Sequence, residues 1–479
     1  MFHEEIFAPS NFRSTGHELI DLLSDYLESA QRKDIPVLPV ADPDELLKQW
    51  RLTNKENDSE AEPRPIELLE LVKEVLAKST HLHHPGYVGH QVSVPLPAAS
   101  LIECVNALLN NGMAVYEMGQ IQTAMETNVV ELLCREVGFD ANSGGILTHG
   151  GSIGNFTALL AARQAKAGYD VWTEGQSRPM AVLVSDQAHY CVARSVQSMG
   201  WGKKGAWPVS TDRDFRMDLQ ALESAYQDAT NDGRQVVAVV GSACSTSTGS
   251  FDPLQEIGAF CRSKDLWFHV DGAHGASMVL SAKNRHKLAG IEMADSVVWD
   301  LHKMLGLPAL NTAVLFKEKQ RSYEAFAQEA SYLFDQTASE DQWFNLGQRT
   351  MECTKRAMGV TAWCLIRVLG LGWFEKQIDH LIALTEEFAA RLKSFDDFEI
   401  AHEPETNILC FRHLPSSDIN PDELNEHQSR IRAAALKDGS FYLVQTRLGK
   451  NTWLRVTLMN PQTSIEDLMR LVEFLRTAA

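Results

Sequence analysis

The sequence predicts an α/β protein: a mainly parallel, seven-stranded sheet covered by helices, with a helical arm before it and a small α+β domain after it. Three observations predict this. Short β-rich runs recur seven times between positions 145 and 316, most of them separated by segments long enough for a crossover helix. The first 80 or so residues carry amphipathic helix patterns and no comparable run. Beyond about Arg349, long helical patterns give way to shorter strand candidates. With 479 residues and 44% apolar content, the chain can bury a large core.

Taken in order, residues 11–31 place Leu19, Leu23, Tyr26 and Leu27 at three-to-four-residue spacing, the pattern of an amphipathic helix. A connection punctuated by Pro36, Pro39 and Pro43 follows, then the charged stretch 54–65 and a second helix through 66–76. Such helices suit an arm that wraps a neighbour, and the arm is placed at residues 1–85. The large α/β domain, 86–350, holds the runs 145–147, 180–184, 206–209, 236–240, 266–270, 296–299 and 312–316. Residues 351–479 form the small α+β domain. It should be helical to about Leu371 and over 373–392, with strands at 398–401, 408–412, 441–445 and 453–456. A last helix follows the capping-box pattern Thr463-Ser-Ile-Glu466.

A net charge of −19 and the lack of any basic stripe exclude a nucleic-acid partner. The longest apolar runs, 236–240 and 181–184, fall far short of the roughly 18 residues a membrane-spanning helix needs. Met1-Phe-His-Glu-Glu-Ile6 does not read as a signal peptide, so the expected location is cytoplasmic, without a membrane partner. Eight cysteines, none in a Cys-x-x-Cys pair, read as reduced and mostly buried thiols. The cluster His81-Leu-His-His84 with His90 has no Cys or carboxylate partner at a familiar ligand spacing, and no metal is expected there.

Three motifs carry chemistry. Thr148-His-Gly-Gly-Ser-Ile-Gly-Asn155 follows a short strand and opens a helix, so its backbone N–H groups and Ser152 hydroxyl can face an anion. By itself, a tight turn without a ligand explains it equally well. Leu266-Trp-Phe-His-Val-Asp271 is an apolar run ending in a carboxylate, at the strand end where ligands gather in open α/β sheets. Ser296-Val-Val-Trp-Asp-Leu-His302-Lys303 puts a His-Lys pair after another buried strand. A lysine there, its pKa lowered by burial, is a nucleophile toward carbonyls. Together these are the groups pyridoxal 5'-phosphate needs: an amine for its aldehyde, a carboxylate to keep its ring nitrogen protonated, and a site for its phosphate.

From its N-terminal arm to Arg455 the sequence resembles the pyridoxal-dependent group II amino-acid decarboxylases, which act on glutamate, cysteine sulfinate, aromatic amino acids or diaminobutyrate. The likeness is most specific in His269-Val-Asp-Gly-Ala-His274 and from Ser296 to Gly306. It implies the fold-type-I architecture of pyridoxal-phosphate-dependent transferases and a homodimer with shared active sites. By the same likeness Lys303 holds the cofactor aldehyde, Asp271 pairs with the ring nitrogen, and His189 in Ser185-Asp-Gln-Ala-His-Tyr190 stacks on the ring. Gly151 and Ser152 contact the phosphate, and Thr246 and His302 belong to the cofactor pocket. Tyr332 in Ala330-Ser-Tyr-Leu-Phe334 returns a proton to the substrate carbon. Arg455 can hold a substrate carboxylate, and His90, Gln91 and Ser93 line the substrate end.

The sequence departs from the family pattern at Asp300-Leu301, where the family reads Asn-Pro. This puts a carboxylate where a phosphate-contacting amide is usual, and the two anions repel unless Asp300 is protonated or turned away. The segment between Tyr332 and Arg349 is also shorter than in the aromatic and glutamate enzymes. The expected reaction is decarboxylation of an L-amino acid to its amine and CO2. The polar stretch His84-Pro-Gly-Tyr-Val-Gly-His-Gln-Val-Ser93 favours a small polar substrate: glutamate, aspartate, cysteine sulfinate or 2,4-diaminobutyrate. An aminotransferase or an aldehyde-forming decarboxylase on the same fold, and a cofactor-binding protein without catalysis, are the alternatives.

Overall fold

A computed structural model of the chain describes residues 7–51, 68–326, 343–416 and 418–478. These residues divide into two compact units. One comprises Gln91–Ala389 with Ile400–Leu409; the other joins the segment up to His90 to Ala390–Glu399 and the segment from Cys410 onward. The arm and most of the C-terminal segment thus share a unit, and the long helices at 358–389 belong with the large sheet.

The first unit is built on a seven-stranded sheet: β1 (Gly144–Thr148), β2 (Met180–Ser185), β3 (Ala206–Val209), β4 (Gln235–Ser242), β5 (Trp267–Asp271), β6 (Ser296–Asp300) and β7 (Thr312–Phe316). The order is β1-β7-β6-β5-β4-β2-β3, and β7 alone runs against its two neighbours. The mainly parallel sheet and all seven expected runs are present. Continuous apolar strands such as Val236–Val240 form here because both faces are covered. Along β6, Val297 and Trp299 enter the core on one face and Val298 the core on the other. Each fully buried Val or Leu contributes about 1.5–3 kcal/mol against exposure.

Some elements differ from the sequence reading. Pro97–Leu109, Gln120–Glu136 and Pro421–Asp438 are helices that were not anticipated, although Pro97 and Pro421 stand at first-turn positions that favour a helix start. The helix expected directly after Arg349 begins only at Met358. The intervening segment is kept out of helix by tertiary contacts. Lys355 Nζ, for instance, donates to Leu147 O at 2.6 Å and pairs with the buried Glu126.

The second unit holds the helices Pro9–Arg32 and Leu68–Lys78 and most of a four-stranded sheet in the order β10-β11-β9-β8. Its strands are β8 (Phe398–Ile400), β9 (Ile408–His413), β10 (Val444–Leu448) and β11 (Asn451–Thr457). β10 lies three residues beyond the expected 441–445. The two-residue turn Gly449-Lys450, with Gly449 at φ 61°, pairs Leu448 with Asn451 and so sets the register. Tyr442 instead forms a parallel bridge with Tyr87, their rings stacked at 5.3 Å. Gly86 is required beside it, because a Cβ there would lie 2.3 Å from Ser440 O. The last helix, Ile465–Thr477, has its capping box one residue later than expected: Ser464 is the cap and Asp467 its partner.

None of the eight cysteines is in a disulfide, and five of them are buried. Among the described residues no His, Cys, Asp and Glu cluster has metal-site geometry, and no single helix is long and apolar enough to cross a membrane.

Candidate active site

The carboxyl ends of β1, β4, β5 and β6 open onto a cavity of about 310 Å³ in the sheet unit. All but three of its lining residues were singled out or quoted above, among them Gly151, Ser152, His189, Thr246, Asp271, His302 and Lys303. The expected cofactor residues therefore come together from segments more than 150 positions apart.

Lys303 stands in the turn 301–305 after β6, which sends Leu301, Met304 and Leu305 into the core on either side of it. That turn is fixed by Lys303 N donating to Asp300 O at 3.2 Å and Gly306 N to Lys303 O at 3.2 Å. Its amine lies 3.1 Å from Asp300 Oδ2. The expected lowering of its pKa does not hold: burial disfavours the ammonium, but the carboxylates of Asp300 and Asp271 outweigh burial and hold the pKa above its ordinary value. Asp271 ends β5, where Ala273 N donates to its Oδ1 at 3.2 Å and the Cys191 thiol approaches Oδ2 at 4.0 Å. Burial pushes the Cys191 thiol upward, so it stays neutral beside the carboxylate.

His189 is half-buried between β2 and the helix Cys191–Ser198. Cys191 N donates to its Nδ1 at 3.3 Å, which assigns the proton to Nε2. Burial lowers its pKa against the opposing pull of Asp271, and the ring is neutral near pH 7.

The anion turn is shaped by Gly150, at φ 94°, and by Gly151, which starts the helix Gly151–Lys166. A Cβ on Gly151 would lie 3.0 Å from both Asp300 carboxylate oxygens, so any side chain there would press on that carboxylate. Asn155 Nδ2 donates to Gly151 O at 2.8 Å, while its Oδ1 accepts from His269 Nε2 at 2.8 Å. His269 Nδ1 lies 2.8 Å from Ser296 Oγ, which in turn accepts from Trp267 Nε1 at 2.9 Å. Burial lowers the His269 pKa to about 4, so this relay is neutral throughout. It ties the anion turn to the two central strands.

Four expected residues fall elsewhere. Ser93 does not line the cavity: its buried hydroxyl donates to His302 O at 2.9 Å, with Leu307 O as a second acceptor at 3.3 Å. It braces the lysine turn and is not the substrate-side group expected, because the 91–96 segment runs behind that turn, where Leu96 N donates to Gly306 O at 2.9 Å. Gln91 is likewise absent from the lining. His90 and Arg455 belong to the other unit, where exposed His90 packs on Tyr442 at 5.7 Å and buried Arg455 lies on β11 opposite Val444. Tyr332 lies outside the described residues.

The reading also missed residues. Cys191 and Cys244 line the cavity, as do His149 and Asn155, which the anion motif contained without a role of their own. His149 pairs with Glu352 at 3.1 Å, a contact across 203 positions that no local pattern announces.

These groups fit a pyridine aldehyde that carries a phosphate. A lysine amine, a strand-end carboxylate and a glycine turn without Cβ atoms share one cavity. The comparisons agree. Residues 49–414 match the pyridoxal-dependent decarboxylase conserved domain. An aromatic-L-amino-acid decarboxylase of Bacillus atrophaeus is 29% identical over 98% of this chain and 96% of its own. The acidic amino acid decarboxylase GADL1 of Xenopus tropicalis is 30% identical over 97% of this chain and 90% of its own. The crystal structure of mouse CSAD, 26% identical, superposes with a TM-score of 0.89 over 98% of this chain and 99% of that one. The chain belongs to the pyridoxal-dependent decarboxylase family. It is a pyridoxal-phosphate-dependent amino-acid carboxy-lyase of fold type I.

Proposed function

We propose that the enzyme decarboxylates a small polar L-amino acid, of the acidic kind (glutamate, aspartate, cysteine sulfinate) or 2,4-diaminobutyrate. The observation that carries this is the cavity wall. Among the described residues it holds no Phe, Tyr or Trp and only Ala273 and Leu310 as hydrocarbon side chains, whereas His149, Asn155, Thr246 and His274 are polar. An indole or phenol would find little apolar surface there. The likeness to the acidic amino acid decarboxylase GADL1 supports the same reading.

In this reading pyridoxal 5'-phosphate, when bound, supplies the electron sink for the pair released with CO2. The protein supplies position. Lys303 holds the aldehyde, and Asp271 keeps a proton on the ring nitrogen. The first-turn N–H groups at Gly151 and the Ser152 hydroxyl hold the phosphate. The neutral His189 ring is assigned one face of the cofactor ring, and Thr246 and His302 are assigned to the rest of the pocket wall. Tyr332 is assigned the proton returned to the substrate carbon.

CO2 release by the cofactor-loaded enzyme across a panel of L-amino acids tests the proposal, with amine and aldehyde products quantified separately. Release of CO2 with amine from an acidic or diamino substrate is expected. Preference for an aromatic substrate, or aldehyde as the main product, overturns it.

The arm points to a homodimer. Phe12, Ile20, Leu68, Leu71 and Val75 are exposed on its helices, and Leu101, Val105, Leu108 and Leu109 form an apolar stripe on Pro97–Leu109. Stripes of this kind are stable when covered by a second copy. Light scattering at micromolar concentration is expected to give twice the 53.4 kDa chain mass; a monomer refutes the dimer. The expected setting remains the cytoplasm; recovery of the intact enzyme in a membrane or secreted fraction after cell fractionation would refute it.

A further inference from the structure

Asp300 has no place in the mechanism above, yet its surroundings are unusual. It is only 2% exposed, and its two oxygens face different partners. Thr312 Oγ1 donates to Oδ1 at 2.6 Å. Lys303 Nζ lies 3.1 Å from Oδ2, and His302 Nε2 lies 3.7 Å from the same oxygen. The remaining side meets the anion turn at Gly151. One buried carboxylate therefore touches both the lysine and the turn that would receive a phosphate. The first contact favours an ammonium, and the second opposes an arriving anion.

We propose that Asp300 is a latch on cofactor loading: it holds Lys303 in an ion pair that must open before the lysine can take up the aldehyde of pyridoxal 5'-phosphate. This rests on the assignment of Lys303 as the lysine that holds the cofactor. Uptake begins when the ammonium gives one proton to solvent. The nitrogen lone pair then bonds to the aldehyde carbon, and the aldehyde oxygen leaves as water with the two remaining amine hydrogens. No oxidant or reductant is involved. Released from Lys303, Asp300 keeps the Thr312 hydroxyl and has the His302 ring, 3.7 Å from Oδ2, as its nearest remaining neighbour among the ion-pairing side chains.

The groups around Lys303 leave Asp300 as the controlling one. The lining contributes Asp300 and His302 from the β6 end, Asp271 and His274 from the β5 end, and Cys244 after β4. His189 and Cys191 follow β2, and His149 follows β1. Both thiols are held neutral by burial, and His189 is neutral. Of the two carboxylates, Asp300 is the one in ion-pair contact among the described residues. A carboxylate this close favours the ammonium by a factor of about 10 to 1000.

The test follows cofactor uptake by cofactor-stripped enzyme, read by stopped-flow absorbance, as a function of pH. In the wild type the rate should climb about tenfold per pH unit between about pH 6.5 and 8.5, because the reactive amine is a minor form throughout. D300N should take up pyridoxal 5'-phosphate about tenfold or more faster near pH 7, with a shallower pH dependence. A D300N rate no higher than wild type overturns the latch. So does a pH-independent wild-type rate, which needs no variant and therefore stands even if D300N fails to fold. Borohydride fixation of the cofactor, measured in parallel, separates the premise from the inference. Fixation at another lysine refutes the Lys303 assignment; fixation at Lys303 with no D300N acceleration refutes the latch alone.

Discussion

The K303A enzyme is expected to lose decarboxylation by about a thousandfold or more, the scale on which removal of a covalently acting side chain is felt. It should still bind pyridoxal 5'-phosphate through the anion turn and Asp271, but borohydride should no longer fix the cofactor to the chain. The fold should survive. The Lys303 side chain is 18% exposed and contributes one ion pair, while the turn that carries it is held by backbone bonds and by Ser93. Partial rescue by a small primary amine would show that the missing amine, rather than a collapsed site, causes the loss. Turnover within tenfold of wild type would remove Lys303 from the chemistry.

D271N is expected to lower kcat by about two to four orders of magnitude. Asparagine has nearly the same shape and keeps an oxygen for the Ala273 N–H, so the strand end should keep its geometry. What it lacks is the charge that retains a proton on the ring nitrogen. KM and cofactor retention should change far less than kcat, and the visible spectrum of the bound cofactor should report the altered ring protonation. A kcat near that of wild type would assign the role to another group.

Much of this was legible in the sequence, and the reason is local. The seven strands are short apolar runs, and a run buried on both faces needs no distant partner to be recognised. Asp271 and Lys303 were found because Asp271 ends such a run and Lys303 follows closely on another, where α/β sheets collect ligands. What escaped depends on contacts between distant positions. Ser93 acts on His302, 209 positions away, and nothing in its own segment shows that its hydroxyl faces backbone rather than substrate. Asn155 joins His269 across 114 positions. The Lys303 pKa was misjudged because burial was weighed without the two carboxylates that accompany it. β10 was misplaced because a two-residue turn, not the apolar content of 441–445, set its register.

The reversed direction of β7 has a consequence for the edge on which the site sits. In a wholly parallel sheet that edge would be furnished by strand endings alone. Because β7 runs the other way, it brings a strand beginning to the same edge, and Thr312, its first residue, stands in one row between Thr148 and Asp300. The hydroxyl that Asp300 depends on is thus supplied by pairing register. A one-residue slip of β7 would turn Thr312 to the opposite face of the sheet. The eleven residues 301–311, which carry Lys303 out to the cavity and return the chain to the sheet, are therefore also the spacer that aligns this row. An insertion or deletion there would misplace the nucleophile and the donor to its counter-ion together, so the length of that connection is under chemical as well as topological constraint.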